Sequence, residues 1–395
     1  MANDLTASFP EIRAGKQQTE FFKQNVAMKI CEFSQGLDGK KYGDTLNRTY
    51  TSMSTYADPY VRWTAISIQD LTDTNEQLLV NKQFAQGFYI DEMDDLQNMY
   101  SAGIEYGKKT GEYLSNQVDA DVLAEALNSA SSIAVWTLAT TNIISTLAWV
   151  NQALAKKNIT SKDRYGVISP EFSSILTQYV ENRVTVKGDQ VGMNGYIMTY
   201  MGFDFYESNQ LCSTAVLTAA NDVTANDTVT IAGQVFTFVA SIGTTAGNVL
   251  AWANIDASRA NLATLINVPW TSTSTGIALT GDALKLFKTR MSAVNDNTAD
   301  TLTVTAKGLW VLDVSEWLTH ASNVWTDTLQ LQHNLFWVKG NPYLVIQRMP
   351  KVSPRDVQDK MGKNYLNTVL YGVKTFRDNS YAMVNVKIRC DWYNA

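Results

Sequence analysis

The sequence predicts an α+β chain: an N-terminal arm and an extended β loop lead into a long helix and an α/β unit, which a second α+β segment interrupts before the closing strands. Three observations carry this reading. The hydrophobic pattern changes from strand to helix at Asp91. Residues 165–169 read as a buried strand running directly into Pro170 and a helix. The composition shifts after Asn209, and no tyrosine occurs between Tyr206 and Tyr343 although the chain has 18.

Size and composition bound the answer. A chain of 395 residues exceeds one ordinary core, which predicts two or three compact units or one elongated unit with an insertion. With 45% hydrophobic residues and 7 prolines it is a folding sequence. Its 18% of charged residues lies below the roughly 25% usual for soluble proteins, so much of the surface is neutral or covered by other subunits. A net charge of −6, without any basic run, argues against a broad face that grips nucleic acid. Cys31, Cys212 and Cys390 are odd in number and far apart, as expected of free thiols in a reducing cytoplasm. Residues 1–16 lack the basic start and apolar run of a secretory signal. Residues 126–155 carry no charge, but Ser129, Ser131, Thr137, Thr140, Thr141 and Asn142 make them a poor membrane span and a better buried segment.

The elements follow in order. Residues 1–42 mix Phe9, Phe21, Phe22, Ile30 and Phe33 with Gly and Lys, an arm with a short helical patch near 20–32. From 43 to 90 the character is β, with runs at 45–51, 60–68 and 78–90 and turn signals at Asp58-Pro59 and Thr72-Asp73-Thr74-Asn75. Asp91, Glu92, Asp94 and Asp95 then crowd the first turn of a helix, where carboxylates suit the dipole. Leu96, Tyr100 and Ile104 form its apolar stripe. Gly103, Gly107 and Gly111 recur every fourth residue beside that stripe, each costing about 1 kcal/mol against Ala. A smooth strip for the close approach of another backbone is one reason; a locally broken helix is the alternative.

A second helix starts at Asn142 and places Ile143, Leu147, Val150 and Leu154 on one face, ending near Lys156-Lys157. After the strand at 165–169, the helix from Pro170 buries Phe172, Ile175, Leu176 and Tyr179. Residues 183–186 and a connection through Gly188, Gly192 and Gly195 lead to the apolar stretch 196–206. Segment 214–326 reads as self-contained: a hairpin over 227–240 turning at Ala232-Gly233, helices over 258–268 and 281–294, and a strand over 300–307. Strand character resumes at 335–348. The chain closes with strands at 366–376 and 381–392, bridged by the polar turn Arg377-Asp378-Asn379-Ser380.

Little in the sequence points to catalysis. No phosphate-binding loop or Gly-rich dinucleotide fingerprint occurs. His320 and His333 are the only histidines and fit neither a metal set nor a nucleophile elbow, so both read as surface or packing residues. The acidic turn at 91–95 lacks the glycine and spaced acids of a calcium loop, and Asp119 and Asp121 are weaker still. No cofactor, metal or catalytic residue is therefore expected. Trp252, Trp270, Trp310, Trp317 and Trp325 sit in the nearly uncharged insertion, where packing explains them better than base stacking.

Several strings carry a resemblance. Ile68-Gln69-Asp70-Leu71-Thr72, Leu79-Val80-Asn81-Lys82 and Gly87-Phe88-Tyr89-Ile90-Asp91 look like an extended loop entering a spine helix. Arg164-Tyr165-Gly166-Val167-Ile168-Ser169-Pro170 and Gly202-Phe203-Asp204-Phe205-Tyr206-Glu207-Ser208-Asn209 look like the strands of an axial domain. Leu335-Phe336-Trp337-Val338 and Tyr371-Gly372-Val373-Lys374-Thr375-Phe376 look like late strands. In this order they resemble the major capsid proteins of tailed bacteriophages, of the Hong Kong 97 fold.

The resemblance implies a noncatalytic subunit that self-assembles into pentamers and hexamers of an icosahedral shell around double-stranded DNA. It also implies location in the virion, and in the host cytoplasm during assembly, with portal, scaffolding and cement proteins as partners and no membrane. It divides the chain into an arm (1–42), an extended loop (43–90), a peripheral domain with the spine helix (91–141), and an axial domain (142–213). The insertion (214–326), an axial return (327–350) and peripheral terminal strands (351–395) follow. A projecting hairpin cannot bury both faces alone, so neighbours must cover it. Arg48, Arg62, Asp70 and Lys82 are then candidate intersubunit contacts. The insertion would project outward and strengthen contacts between capsomers. A nanocompartment shell and a tail or surface adhesin are the alternative readings, and an enzyme is the weakest.

Overall fold

The computed structural model describes residues 25–26, 31–33, 45–52, 61–63, 65, 72–97, 102–135, 137–182, 199–251, 254–309, 311–326, 330–357 and 361–389. The first part of the chain contributes strands β1 (Glu32–Phe33), β2 (Thr45–Ser52), β3 (Thr72–Leu79) and β4 (Lys82–Asp91), then helices α1 (Glu92–Gln97) and α2 (Ala102–Leu123). There follow β5 (Ser131–Val135), α3 (Ile143–Ala155), β6 (Arg164–Ile168), α4 (Pro170–Glu181), β7 (Thr199–Tyr200), β8 (Phe203–Glu207) and β9 (Cys212–Thr218). Next come β10 (Thr228–Ile231), β11 (Gln234–Val239), β12 (Asn248–Leu250), α5 (Ile255–Asn267), α6 (Gly281–Arg290), β13 (Met291–Asp296) and β14 (Thr301–Ala306). The rest is β15 (Val314–Trp317), β16 (Val324–Trp325), β17 (Leu331–Val338), β18 (Tyr343–Asp356), β19 (Gly362–Lys374), α7 (Arg377–Ser380) and β20 (Met383–Arg389). These elements fall into two compact units, the first comprising Glu32–Leu114 and Pro342–Phe376, the second including Ser115–Asn341 and the chain from Arg377.

In the first unit β18 and β19 form a long antiparallel ribbon, β4 lies along the other side of β19, and β1 joins β18 in parallel. Strand β4 follows the period of two that a half-covered strand requires: Lys82, Phe84, Gln86 and Phe88 are half-buried, whereas Gln83, Ala85 and Gly87 are exposed. β2 and β3 make a separate two-stranded ladder, from Thr45 opposite Leu79 to Ser52 opposite Thr72. This overturns the turn expected at 72–75, because those residues pair with 49–52 and the ladder overrides their turn propensity. It also splits the run 78–90. The chain leaves one sheet at Leu79 and enters another at Lys82. Asp91 closes β4 and caps α1, its Oδ1 accepting from the Met93 N–H at 3.1 Å.

The second unit is built on a ten-stranded sheet among the described residues, whose main path runs β13-β14-β9-β17-β6-β8-β7, with β20 beside β17 and β5 beside β20. Helices α3 and α4 cover one face. Ile143, Leu147, Val150, Leu154, Phe172 and Leu176 pack there with Phe203, Phe205, Phe336 and Val386. The strand-to-helix turn forms as its sequence requires: Ser169 caps α4 by accepting from the Phe172 N–H, and Pro170 supplies the first helical residue. Asn142 sits at the start of α3 but bonds backwards, accepting from Ala139 N–H and donating to the Thr137 carbonyl.

Segment 214–326 does not stand apart. β9 begins at Cys212 and pairs with β17, so the sheet runs from the α/β unit into β14, β13 and β16 without a break. A smaller sheet, β12-β11-β10-β15, completes the insertion. Its β10–β11 hairpin turns at Ala232 and Gly233 with φ of 49° and 78°, the left-handed pair that such a two-residue turn needs. The helix expected over 281–294 ends at Arg290; Met291 opens β13, because Ala293 and Val304 pack in the sheet's core. The closing hairpin is also corrected. β19 belongs to the first unit and β20 to the second, with α7 in place of the turn, so 351–395 is not one body. Readings at 1–24, 34–44, 66–71 and 183–198, the middle of the 60–68 run, and the side chains of Leu96, Tyr100 and Ile104 lie outside the described residues.

Candidate assembly surfaces

Among the described residues, the β2–β3 hairpin is anchored where Leu46, Tyr50 and Leu78 pack. At its root Leu78 is buried with Val80, Val345 and Phe376. There the Arg48 guanidinium lies over the rings of Tyr50, Tyr343 and Phe376 at 5.2, 5.7 and 5.4 Å. Lys374 pairs with Glu76 at 3.0 Å and donates to the Gln77 carbonyl at 2.8 Å. Beyond this root Thr72–Asn75 are all exposed. Lys82 rests over Tyr371 at 6.0 Å. Arg62 stacks on Trp63, whose ring is 89% exposed. Asp70 lies outside the described residues. Arg48 and Lys82 therefore meet rings of their own chain, and Arg62, beside Trp63, is the described candidate on open surface.

The glycine repeat acquires a local partner. A Cβ on Gly107 would stand 3.0 Å from Val352 Cγ2, and one on Gly111 would stand 3.5 Å from Asn367 Nδ2. Asn367 Nδ2 also reaches Thr110 Oγ1 at 3.4 Å, and Phe88 stacks on Tyr365 and tilts against Tyr106. The smooth strip thus seats α2 on the half-buried face of β4, β19 and β18. Gly103 continues the repeat one turn earlier in α2.

Polar contacts that sequence reading missed tie the insertion to α2 and brace it internally. Lys307 pairs with the buried Asp121 at 3.2 Å, and Gln117 Nε2 donates to the Thr289 carbonyl. Arg259, fully buried, bonds Asp256, Asp300 and the Ala219 carbonyl. Asp227 accepts from the backbone and side chains of Thr224 and Thr319. Burial alone would raise its pKa, but these donors outweigh it and hold the carboxyl below the usual range. The signal for these residues is faint: Asp227 and Lys307 stand as single charges in neutral stretches.

Three of the candidate reactive groups, His333, Cys31 and Cys212, are buried. His333 is buried, with Nδ1 at 2.8 Å from Asn385 Nδ2 and Nε2 at 2.9 Å from Thr214 Oγ1. A neutral ring satisfies both neighbours, Nδ1 accepting and Nε2–H donating. Burial, then the charge of Lys387, lowers its pKa to about 4 against the contact with Asn385. Burial pushes the Cys212 thiol up to about 12 and the Cys31 thiol higher still, so both are poor nucleophiles. His320 is exposed. Among the described residues no three His, Cys, Asp or Glu side chains gather as a metal site, and no helix is long and apolar enough to cross a membrane.

No protein-family model and no curated protein matches the chain. Solved structures do. A structure described as Mycobacterium phage Che8 superposes with a TM-score of 0.57 at 13% identity, covering 98% of each chain. The capsid structure of the cyanophage P-SCSP1u gives 0.55 at 11% identity over 98% of this chain and 95% of that one. The mature capsid of bacteriophage PhiM1 gives 0.53 at 9% identity over 96% and 91%. Across nearly its whole length, insertion included, the chain has the α+β fold of these phage capsid structures.

Proposed function

We propose that the chain is the major capsid protein of a tailed bacteriophage, a noncatalytic subunit that assembles into pentamers and hexamers of an icosahedral shell around double-stranded DNA. The observation that carries the reading is the full-length fold match, 98% of both chains at a TM-score of 0.57. The two-stranded β2–β3 ladder supports it, since a hairpin that pairs with no third strand among the described residues needs a neighbour to cover it. In this reading residues 43–90 are the extended loop that overlies a neighbour, and α2 is the spine. The sheet around β6 and β17 is the axial body, and 214–326 is a surface addition that strengthens contacts between capsomers. Arg62 and Asp70 are intersubunit contacts of the loop. Arg48 and Lys82, stacked on their own chain, position it. Portal, scaffolding and cement proteins are the expected partners, and the virion is the expected location, reached from the host cytoplasm.

Electron microscopy of the purified recombinant chain tests the proposal. Closed shells or capsomer rings are the expected result. A monomer at all concentrations, with and without scaffold, would overturn it. Empty small shells carrying a co-purified enzyme would move the chain to a nanocompartment instead. Modest contacts suffice for closure, because symmetry repeats each one many times.

A further inference from the structure

Among the insertion's described tryptophans, Trp317 is the most exposed. Of the insertion's described tryptophans, Trp325 is 3% exposed and donates its Nε1–H to the Ser315 carbonyl. Trp270 is 49% exposed, with the Lys288 ammonium 5.4 Å from its ring centroid. Trp317 is 78% exposed, on β15 at the end of the four-stranded sheet. An indole left in water forgoes the stabilisation of its burial, so its surroundings matter.

Register defines them. Trp317 stands opposite Thr228, which stands opposite Thr237; one row along, Ser315, Thr230 and Val235 align in the same way. The intervening positions, Val229, Ile231, Phe236 and Phe238, point into the insertion's core, so the Trp317 rows form the outward face. That face is Thr, Ser, Val and Trp, with no ionisable side chain on either row. Glu316 aligns with Val229 on the opposite side of the pleat, and the nearby Asp227 carboxylate is saturated by Thr224 and Thr319. Hydroxyls on adjacent strands stand about 4.8 Å apart, the scale of one sugar ring.

We propose that this face binds neutral carbohydrate, with the Trp317 indole as the stacking platform and the Thr228, Thr230, Thr237 and Ser315 hydroxyls as the hydrogen-bonding rim. The chemistry favours this occupant over others. An exposed ring offers an apolar plane to the C–H face of a pyranose, and neutral hydroxyls exchange water for sugar hydroxyls without desolvating a charge. Nucleic acid would need cations here, and these rows have none. A second copy of the chain would be held here by Trp317 and Val235 alone, which project strongly among the threonines, and the oligomeric state of Trp317→Ala separates that occupant from a sugar. The site is shallow and open, which fits weak recognition of a polymer rather than capture of a small molecule.

The test is affinity electrophoresis of the intact 395-residue chain through gels containing neutral polysaccharides (glucans, galactomannan, xylan, arabinan) or anionic alginate. The expected result is retardation by at least one neutral polymer, reduced about tenfold in apparent affinity by Trp317→Ala. Trp317→Phe should retain part of the retardation, Thr228→Val should weaken it several-fold, and Trp270→Ala should leave it unchanged. Because Trp317 is exposed, the Ala variant should keep the parent's melting temperature, and the Phe variant guards against a folding defect. Three results overturn the proposal: no retardation by any neutral polymer, retardation that survives Trp317→Ala, or retardation by alginate alone. A change in oligomeric state on Trp317→Ala also overturns it, by showing that the face joins copies of the chain.

Discussion

The β2–β3 hairpin and the insertion are both β-rich excursions from a larger body, yet they are stabilised in opposite ways. The hairpin buries Leu78 at its root and little else; its strand β3 runs exposed for its first four residues. The insertion has a continuous core, in which Val229, Phe236, Leu262, Phe287, Leu302 and Val304 pack from two sheets and two helices. One region can satisfy itself within a single chain. The other packs only Leu46, Tyr50 and Leu78 against the core beside it, and among the described residues its two strands pair with no third strand, a condition that folded monomers normally avoid. Damage to the insertion should therefore appear in the isolated chain, and damage to the hairpin in the assembled particle.

The largest effect is expected at the insertion's centre. Phe236 is fully buried and meets Phe287 edge-on with ring centroids 5.4 Å apart. Phe236→Ala should cost about 3–5 kcal/mol in denaturant unfolding of the unassembled chain. An unchanged midpoint would mean that the insertion does not fold as part of the second unit. Excision tests need the same care. A deletion of 214–326 would cut β9 at Thr214, inside its pairing with β17, and would damage the sheet as well as remove the insertion.

Acid should probe the sheet beside the insertion, where β17 pairs with β9, slightly more gently. His333 has a folded pKa of about 4, below the ordinary imidazole value near 6.5. The unfolded chain then binds more protons between these values, so stability is complete above pH 6.5 and is lost as pH falls towards 4. The loss should total roughly 3 kcal/mol and level off below pH 4. Denaturant midpoints between pH 7 and pH 4 would measure it, and His333→Gln should flatten that part of the profile. An equal slope in the variant would place the acid response elsewhere.

What the sequence made legible follows from how local each cause is. The strand-to-helix turn at Ser169-Pro170 and the Ala232-Gly233 hairpin were readable because cap, proline and turn residues act within a few positions. Strand partnership was not. Nothing near Arg377 announces that β19 and β20 enter different units, and Thr72–Asn75 looked like a turn because their ladder partners lie some twenty residues away. The candidate contacts divided similarly. Arg48 and Lys82 were picked as cations on a projecting loop, but Tyr343, Phe376 and Tyr371, which they stack on, are distant in sequence. Trp317 and Trp325 differ in burial because their strands join different sheets, which composition cannot report.

The glycine strip separates the two regions at an intermediate scale. Gly107→Leu would drive side-chain atoms into Val352 and lift α2 from the sheet, costing about 1–3 kcal/mol in the isolated chain. Gly107→Ala should be nearly neutral, since its helix-propensity gain of about 1 kcal/mol offsets a contact that Val352 can relieve by a few tenths of an ångström. Combining Gly107→Leu with Val352→Ala should recover part of the loss. A Leu variant as stable as the parent would mean that α2 does not need the close approach.

The smallest effect on the isolated chain is expected at Arg48, and it discriminates best between the regions. Its guanidinium gains cation–π contacts with three rings, worth about 0.5–1 kcal/mol at a half-exposed site. Arg48→Lys should lose most of the planar stacking while keeping the charge, because an ammonium cannot lie flat across Tyr50 and Phe376. Arg48→Ala should therefore lower the unfolding midpoint only slightly, less than any insertion-core change. The same variant should assemble less efficiently in light scattering, because a hairpin whose root is not fixed loses orientational freedom when a neighbour covers it. If the chain's stability and its assembly fall by equal amounts, the hairpin is an ordinary part of the fold. A clear excess in assembly shows that its root holds it ready for a partner.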